Sequence, residues 1–252
     1  MLDPLFTGPA LAHRGLHDRA AGRVENSRAA VRAAVEAGYG VEIDVQLSAD
    51  GEAMVFHDAT LDRLTAETGA LRARAAADLG AIALKDGGET IPTLAEILGI
   101  VAGRAALLIE IKDQGGRMDE TGVGPLEARV AALLAGYRGP VAVMSFNPAS
   151  VIALRGLAPA IPRGLTAGEP DCYDEQELGS ERLASLARLD AFDAAGASFV
   201  SYHWRALPTP ETARLRAAGL PVLCWTLRSA ADDAAARAHA DNVTFEGYAA
   251  AR

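Results

Sequence analysis

Short apolar runs alternate with amphipathic stretches from one end of the chain to the other. The runs are ALAHRG (10–15), GVEIDVQL (40–47), ALLIEIK (106–112), PVAVMSF (140–146), IPRGLTA (161–167), SFVSYHW (198–204), PVLCWTL (221–227) and DNVTFEG (241–247). Between them lie Ala/Leu/Arg-rich helical patterns: ENSRAAVRAAVEAG (25–38), TLAEILGIVAG (93–103), GPLEARVAALLAGY (124–137), PASVIALRGLA (148–158), ERLASLARLDAFDAA (181–195), PETARLRAAG (210–219) and AADDAAARAHA (230–240). Strands alternating with helices are the rhythm of a parallel sheet, and eight repeats favour closure into a TIM (β/α)8 barrel. The alternative, a doubly wound open sheet, usually has fewer strands, and no GxGxxG follows the first run. Helix punctuation agrees with this segmentation. Asn26-Ser27 stands at a helix start, Gly38, Gly103 and Gly219 stand where a left-handed stop is expected, and Pro148 and Pro210 fall in first turns.

Two stretches depart from the minimal rhythm. Residues 51–92 hold an extra strand-like AMVFHD (53–58) and a polar excursion, which reads as a small insertion after the second strand. The acidic segment GEPDCYDEQELGSE (168–181) reads as a long loop, either covering a pocket or making a solvated connection. Nothing suggests a second domain, so residues 1–252 are expected to form one barrel.

Composition narrows the partners. The 24 Lys+Arg against 33 Asp+Glu give a net charge of −9, which leaves no basic surplus to displace the counterions of a nucleic acid. Cys172 and Cys224 are far apart and in no metal-ligand spacing, which argues against a disulfide framework. The start of the chain lacks a basic stretch followed by an apolar run, and no apolar stretch of ~20 residues occurs. The expectation is a soluble cytoplasmic protein without stable membrane association, its oligomeric state left open.

The chemistry is legible in which strand positions carry charge. In GVEIDVQL, Val41, Ile43 and Val45 share one face and Glu42 and Asp44 the other; in ALLIEIK the same parity joins Glu110 to Lys112. The apolar face meets the surrounding helices, so the carboxylates point into the barrel. Unpaired buried carboxylates are costly and repel one another, and a divalent cation resolves both problems. Oxygen ligands suit Mg2+ or Ca2+. The competing reading is a set of internal salt bridges with Lys112 and Arg14. His13, ending the first strand, and His57, ending VFHD, can act as proton acceptor and donor beside this cluster. His17, His203 and His239 are weaker candidates: His239 is expected exposed in a helix, and His203 to line the pocket without a matching partner. Trp225 and Phe146 are inward walls or core residues. Lys112 could form a Schiff base, but Glu110 beside it would keep the amine protonated.

Together HRG (13–15), ENS (25–27), EIDVQLSADG (42–51), VFHDATLDRLT (55–65), Gly69, IPTLAEIL (91–98), EIK (110–112), SFN (145–147) and CWT (224–226) resemble the glycerophosphodiester phosphodiesterases along nearly the whole chain. The resemblance implies a TIM barrel with a small insertion after the second strand, and hydrolysis of small-molecule glycerophosphodiesters to an alcohol and glycerol 3-phosphate. It implies Glu42, Asp44 and Glu110 as metal ligands, His13 and His57 as the acid/base pair, and Arg14 and Lys112 as phosphate holders. Glu25 and Asn26 would support the site, and Trp225 would line the glycerol side. The chain departs from the commoner pattern at Arg228, where the family often has Asn, and at TFEGY, where many members have T-D-x-P; both departures are expected to alter the glycerol and alcohol pockets. Competing functions are a lysophospholipid-type phosphodiesterase on the same barrel and a non-catalytic binder of phosphate ligands.

Overall fold

Eight parallel strands close on themselves in the computed structural model, which describes residues 1–173 and 178–251. They are β1 (Leu11–Ala12), β2 (Gly40–Leu47), β4 (Leu107–Ile111), β5 (Val141–Ser145), β6 (Arg163–Ala167), β7 (Phe199–His203), β8 (Val222–Leu227) and β9 (Asn242–Phe245). Parallel pairing runs round the ring in that order, and β9 and β2 both pair with β1 to seal it. The short β3 (Ala53–Val55) pairs antiparallel with the end of β2, opening the expected insertion.

Helices occupy the seven connections as the sequence pattern requires: α1 (Arg28–Glu36), α2 (Ala76–Leu79) and α3 (Leu94–Val101), α4 (Pro125–Leu134), α5 (Pro148–Leu157), α6 (Ser180–Ala187) and α7 (Phe192–Ala195), α8 (Pro210–Ala217), and α9 (Ala230–Ala236). Their starts carry the predicted caps. Ser27 accepts from the Ala30 amide at 3.1 Å, and Pro148 and Pro210 occupy first helical positions. Gly38, Gly103 and Gly219 all adopt the left-handed conformation at helix ends.

Strand parity divides the side chains. Val41, Ile43, Val45, Leu107, Ile109 and Ile111 are fully buried outside the ring against helix residues such as Val31, Ile97 and Val130. Inside, the end nearest the strand starts is filled by Phe6, Leu11, Leu108, Phe199 and Leu223, an apolar plug. Above the plug the interior turns polar, with Glu42, Asp44 and Glu110 buried. The insertion has its own apolar centre, in which Phe56, Leu61, Leu64, Leu71 and Ile91 enclose Met54 and Val24.

Three local expectations are corrected. The stretch 181–195 is two helices rather than one, because the chain reverses at Leu189 (φ 58°), which buries that side chain. The first strand ends at Ala12, because Arg14 (φ 55°) and Gly15 (φ 78°) turn the chain away from the ring. His239 is exposed, but it sits in the turn beyond α9. Of the loop 168–181, residues 174–177 lie outside the described residues; Pro170–Cys172 form one 3-10 turn and Ser180 starts α6.

Candidate active site

The alternation of β2 sends Glu42 and Asp44 inward, and β4, paired in register Asp44↔Glu110, brings the third acid beside them. One carboxylate oxygen from each lies within 4.8 Å of the others. Among the described residues, two cations face the three acids. Lys112 Nζ is 2.8 Å from Asp44 and 2.5 Å from Glu110, and Arg14 Nε is 3.4 Å from Asp44. Arg14 is shared, since its Nη1 donates to Glu25 at 2.6 Å. The cluster is therefore short of positive charge. Its consequence falls on Glu42: burial, with Asp44 and Glu110 beside it, pushes that carboxyl well above the usual carboxylate range. Burial also opposes ionisation of Asp44, but Lys112, His57 and Arg14 outweigh it and hold that group well below its ordinary value. Three buried oxygen donors with an unmet demand for positive charge fit a hard divalent cation. Salt bridging to Lys112 and Arg14 is present, yet it leaves one acid of the three uncompensated.

The sharp HRG turn positions this machinery. Gly15 is indispensable there, because a Cβ would stand 2.8 Å from the Ala30 carbonyl carbon and φ is positive. The turn lets the Arg14 amide donate to Glu42 at 3.0 Å. Asn26, itself left-handed (φ 58°), clasps Asp44: its Nδ2 donates to Oδ2 at 2.8 Å and its Oδ1 accepts from the Asp44 amide at 3.2 Å. Non-glycine residues held in this conformation cost about 1–3 kcal/mol each and persist where surroundings over-determine them.

Each histidine carries a carboxylate on one nitrogen. His13 Nδ1 is 2.5 Å from Glu246, and His57 Nδ1 is 2.8 Å from Asp58. Burial dominates at His13 and lowers it to about 4, despite Glu246. Burial opposes the charge on Glu246 as well, but the hydrogen bond with His13 and the His17 ring 3.5 Å away hold it well below the carboxylate range. A neutral ring beside an ionised acid donates through Nδ1–H, which leaves Nε2 of His13 as a proton acceptor. His57 is linked onward: Arg63 donates to Asp58 at 2.6 and 2.9 Å and to both Glu25 oxygens at 2.8 Å. One guanidinium thus ties the carboxylate behind His57 to the carboxylate behind Arg14.

All eight residues selected from the sequence (His13, Arg14, Glu42, Asp44, His57, Glu110, Lys112 and Trp225) line one cavity of about 460 Å³. Trp225 is in the cavity wall, its Nε1 donating to the Ser201 carbonyl at 3.1 Å and its ring packed edge-on against Phe146. One expectation about partners is corrected. His203 does have one, since its Nδ1 is 2.6 Å from Glu169. The departures at Arg228 and TFEGY meet in the structure: Arg228 Nε donates at 2.7 Å to Glu246, the carboxylate that His13 contacts. Glu246, Asp58 and Arg63 were missing from the sequence-based set. For Glu246 the signal was parity, as it continues the inward face of Asn242 and Thr244.

The family model described as "Glycerophosphoryl diester phosphodiesterase family" matches residues 13–244. A glycerophosphodiester phosphodiesterase of Caldanaerobacter subterraneus subsp. tengcongensis is 32% identical over 164 residues, 62% of this chain and 65% of that protein. The glycerophosphodiester phosphodiesterase 1 of Bos taurus is 44% identical over 73 residues, 28% of this chain and 21% of that protein. The chain therefore spans less than two thirds of the length of these curated relatives. Among solved structures, an Oleispira antarctica phosphodiesterase in complex with the product sn-glycerol-3-phosphate superposes with a TM-score of 0.76 at 23% identity, covering 94% of this chain and 92% of that one. A Thermotoga maritima glycerophosphodiester phosphodiesterase gives a TM-score of 0.71 at 24% identity, covering 94% of both chains. These last two likenesses establish the barrel fold, and the family match extends from the histidine of HRG to the last strand. The chain belongs to the glycerophosphoryl diester phosphodiesterase family.

Proposed function

We propose that this protein hydrolyses glycerophosphodiesters to an alcohol and glycerol 3-phosphate, with a divalent cation held by Glu42, Asp44 and Glu110 and with His13 and His57 as the acid/base pair. The observation that carries the proposal is the convergence of those three buried acids and two carboxylate-backed histidines on one cavity. The relatives' activity and the product bound in the Oleispira protein agree with it. Mg2+ and Ca2+ both suit the oxygen donors. When bound, such an ion supplies positive charge for the phosphoryl oxygens and for charge building on them.

The chain's own groups do the rest. Arg14 and Lys112, both kept cationic by the surrounding acids, hold the phosphodiester anion. His13 accepts the proton of the attacking hydroxyl at Nε2, while Glu246 on Nδ1 steadies the imidazolium that results. The hydroxyl belongs to water or to the substrate's own glycerol 2-position; in the second case a cyclic phosphate forms and water then opens it. As the bond from phosphorus to the alcohol oxygen breaks, His57 gives that oxygen a proton, with Asp58 fixing its ring. Trp225 and Phe146 form the apolar wall against which the carbon skeleton packs.

The test is a turnover panel with Mg2+, Ca2+ or Mn2+ on glycerophosphodiesters differing only in the alcohol, with lysophosphatidylcholine as the lipid arm. Release of glycerol 3-phosphate from the water-soluble diesters is expected. Tight ligand retention without cleavage over hours would instead identify a binding protein, and preference for the lysolipid would identify a lipid-directed enzyme.

A further inference from the structure

Across the ring from β2, the strands β6 and β7 bring a second set of metal-ligating groups to the cavity. Glu169 caps and Cys172 ends the 3-10 turn that follows β6, and His203 is the last residue of β7. One donor atom from each lies within 4.8 Å of the others. Glu169 Oε2 is 2.6 Å from His203 Nδ1 and 3.7 Å from Cys172 Sγ. Tetrahedral zinc, with bonds of about 2.0–2.3 Å, needs its ligand atoms about 3.3–3.6 Å apart. The Glu169–Cys172 spacing is close to that already. The Glu169–His203 contact has to open, by under about 1 Å, with Glu169 on an exposed turn, and the Cys172 and His203 donors, within 4.8 Å of each other, have to settle to the same spacing.

The backbone is shaped to allow this meeting. The Cys172 amide donates to the Glu169 carbonyl at 2.9 Å, which fixes an E-x-x-C pair on one turn, a two-residue gap common between zinc ligands. Gly168 lies under both other donors: a Cβ there would stand 2.6 Å from Cys172 Sγ and 2.9 Å from His203 Cβ. A side chain at 168 would force Cys172, His203 or both to shift from their present places. Cys172 is a free thiol, so its sulfur is available. A thiolate, an imidazole and a carboxylate form a softer set than the all-oxygen cluster on β2 and β4, and their charges sum to what a dication neutralises.

We propose that Glu169, Cys172 and His203 form a second metal site, for Zn2+ or an ion of its class, at the mouth of the cavity. Binding releases the thiol proton to solvent and ties the 169–172 turn to β7. Cys172 and His203 line the cavity, so the fourth ligand position opens toward it. The site is independent of the proposed reaction, and its failure would leave the hydrolytic reading untouched.

The test uses the full chain, stripped of metal and titrated with Co2+ while the near-ultraviolet and visible spectra are recorded. A thiolate-to-cobalt absorption that saturates as Co2+ is added, allowing for the ion the oxygen cluster on β2 and β4 also takes, and that is bleached by Zn2+, is expected. It should vanish in Cys172→Ser, persist in Glu42→Gln, and require at least about tenfold more Co2+ in His203→Ala and in Glu169→Gln. Cys224 is fully buried and serves as the internal control. No thiolate absorption at saturating Co2+, or one that survives Cys172→Ser, overturns the site. Because Glu169→Gln alters an exposed side chain, its result stands even if a cysteine variant folds poorly.

Discussion

Replacing Glu246 by glutamine keeps the shape of the side chain and removes its charge from His13. The carboxylate and the ring are 2.5 Å apart at their nearest atoms, and their side chains are only 18% and 14% exposed. Unit charges about 4 Å apart interact by about 4 kcal/mol at an effective dielectric constant near 20. Arg228 shares the carboxylate and is mostly exposed, so some of that attraction is already spent and screened. About 2–3 kcal/mol of support for the imidazolium formed as His13 takes a proton is left, which corresponds to a loss of about 10²-fold in turnover. KM should change little, because Glu246 stabilises charge that develops only during reaction. Steady-state release of glycerol 3-phosphate measures this, and a thermal melt of the variant confirms that the fold is intact. Glu246→Asp, which restores charge at a longer reach, should recover part of the loss. A glutamine variant within about threefold of the parent would refute the role assigned to this carboxylate.

Three further outcomes follow from the same geometry. His57→Ala should lower turnover by about 10²–10⁴-fold with the fold retained, and unchanged rates would remove it from the acid/base pair. Glu25 should make stability pH-dependent: burial raises its carboxyl, but Arg63 and Arg14 more than offset this and hold it at about 2. Its contribution is fully present above the ordinary value near 4.5 and is lost as pH falls toward 2, so the destabilisation by Arg63→Ala, about 1–2 kcal/mol at pH 7 after screening, should shrink over that window. Urea midpoints from pH 6 to 2 test this, and a gap independent of pH would contradict it. Gly15→Ala should cost about 2–4 kcal/mol, because alanine disfavours φ 78° and meets the Ala30 backbone; a stability loss under about 0.5 kcal/mol in denaturant melts would show that the turn tolerates a side chain.

The barrel and most of the site are legible because a strand's period is two. Once GVEIDVQL is read as a strand, Glu42 and Asp44 must share the face opposite Val41, Ile43 and Val45, and register with β4 delivers Glu110. The same rule reaches Glu246 and His203, which continue the inward faces of β9 and β7, yet nothing local in the sequence names their partners. His13 and Glu246 are 233 positions apart, and they meet only because closure places β9 beside β1. Arg63 is hidden for another reason. It stands in an irregular insertion without periodicity, where only the folded loops bring it between Asp58 and Glu25. The break at Leu189 was also invisible, since Leu186, Leu189 and Phe192 keep a helical spacing whether or not the helix is continuous. What pattern cannot supply is the contact between elements distant in the chain.

The central claim, that three acids from β2 and β4 jointly hold one hard cation, is tested most directly by equilibrium binding of Mg2+, Ca2+ and Mn2+ to the metal-stripped protein. The parent chain, Glu42→Gln and Asp44→Asn should be compared, with turnover recorded on the same samples. One ion bound per chain, affinity reduced at least about tenfold in both variants, and activity lost on chelation and restored by the ion are the predicted result. Full activity in the metal-free protein, or binding that neither substitution disturbs, would contradict it.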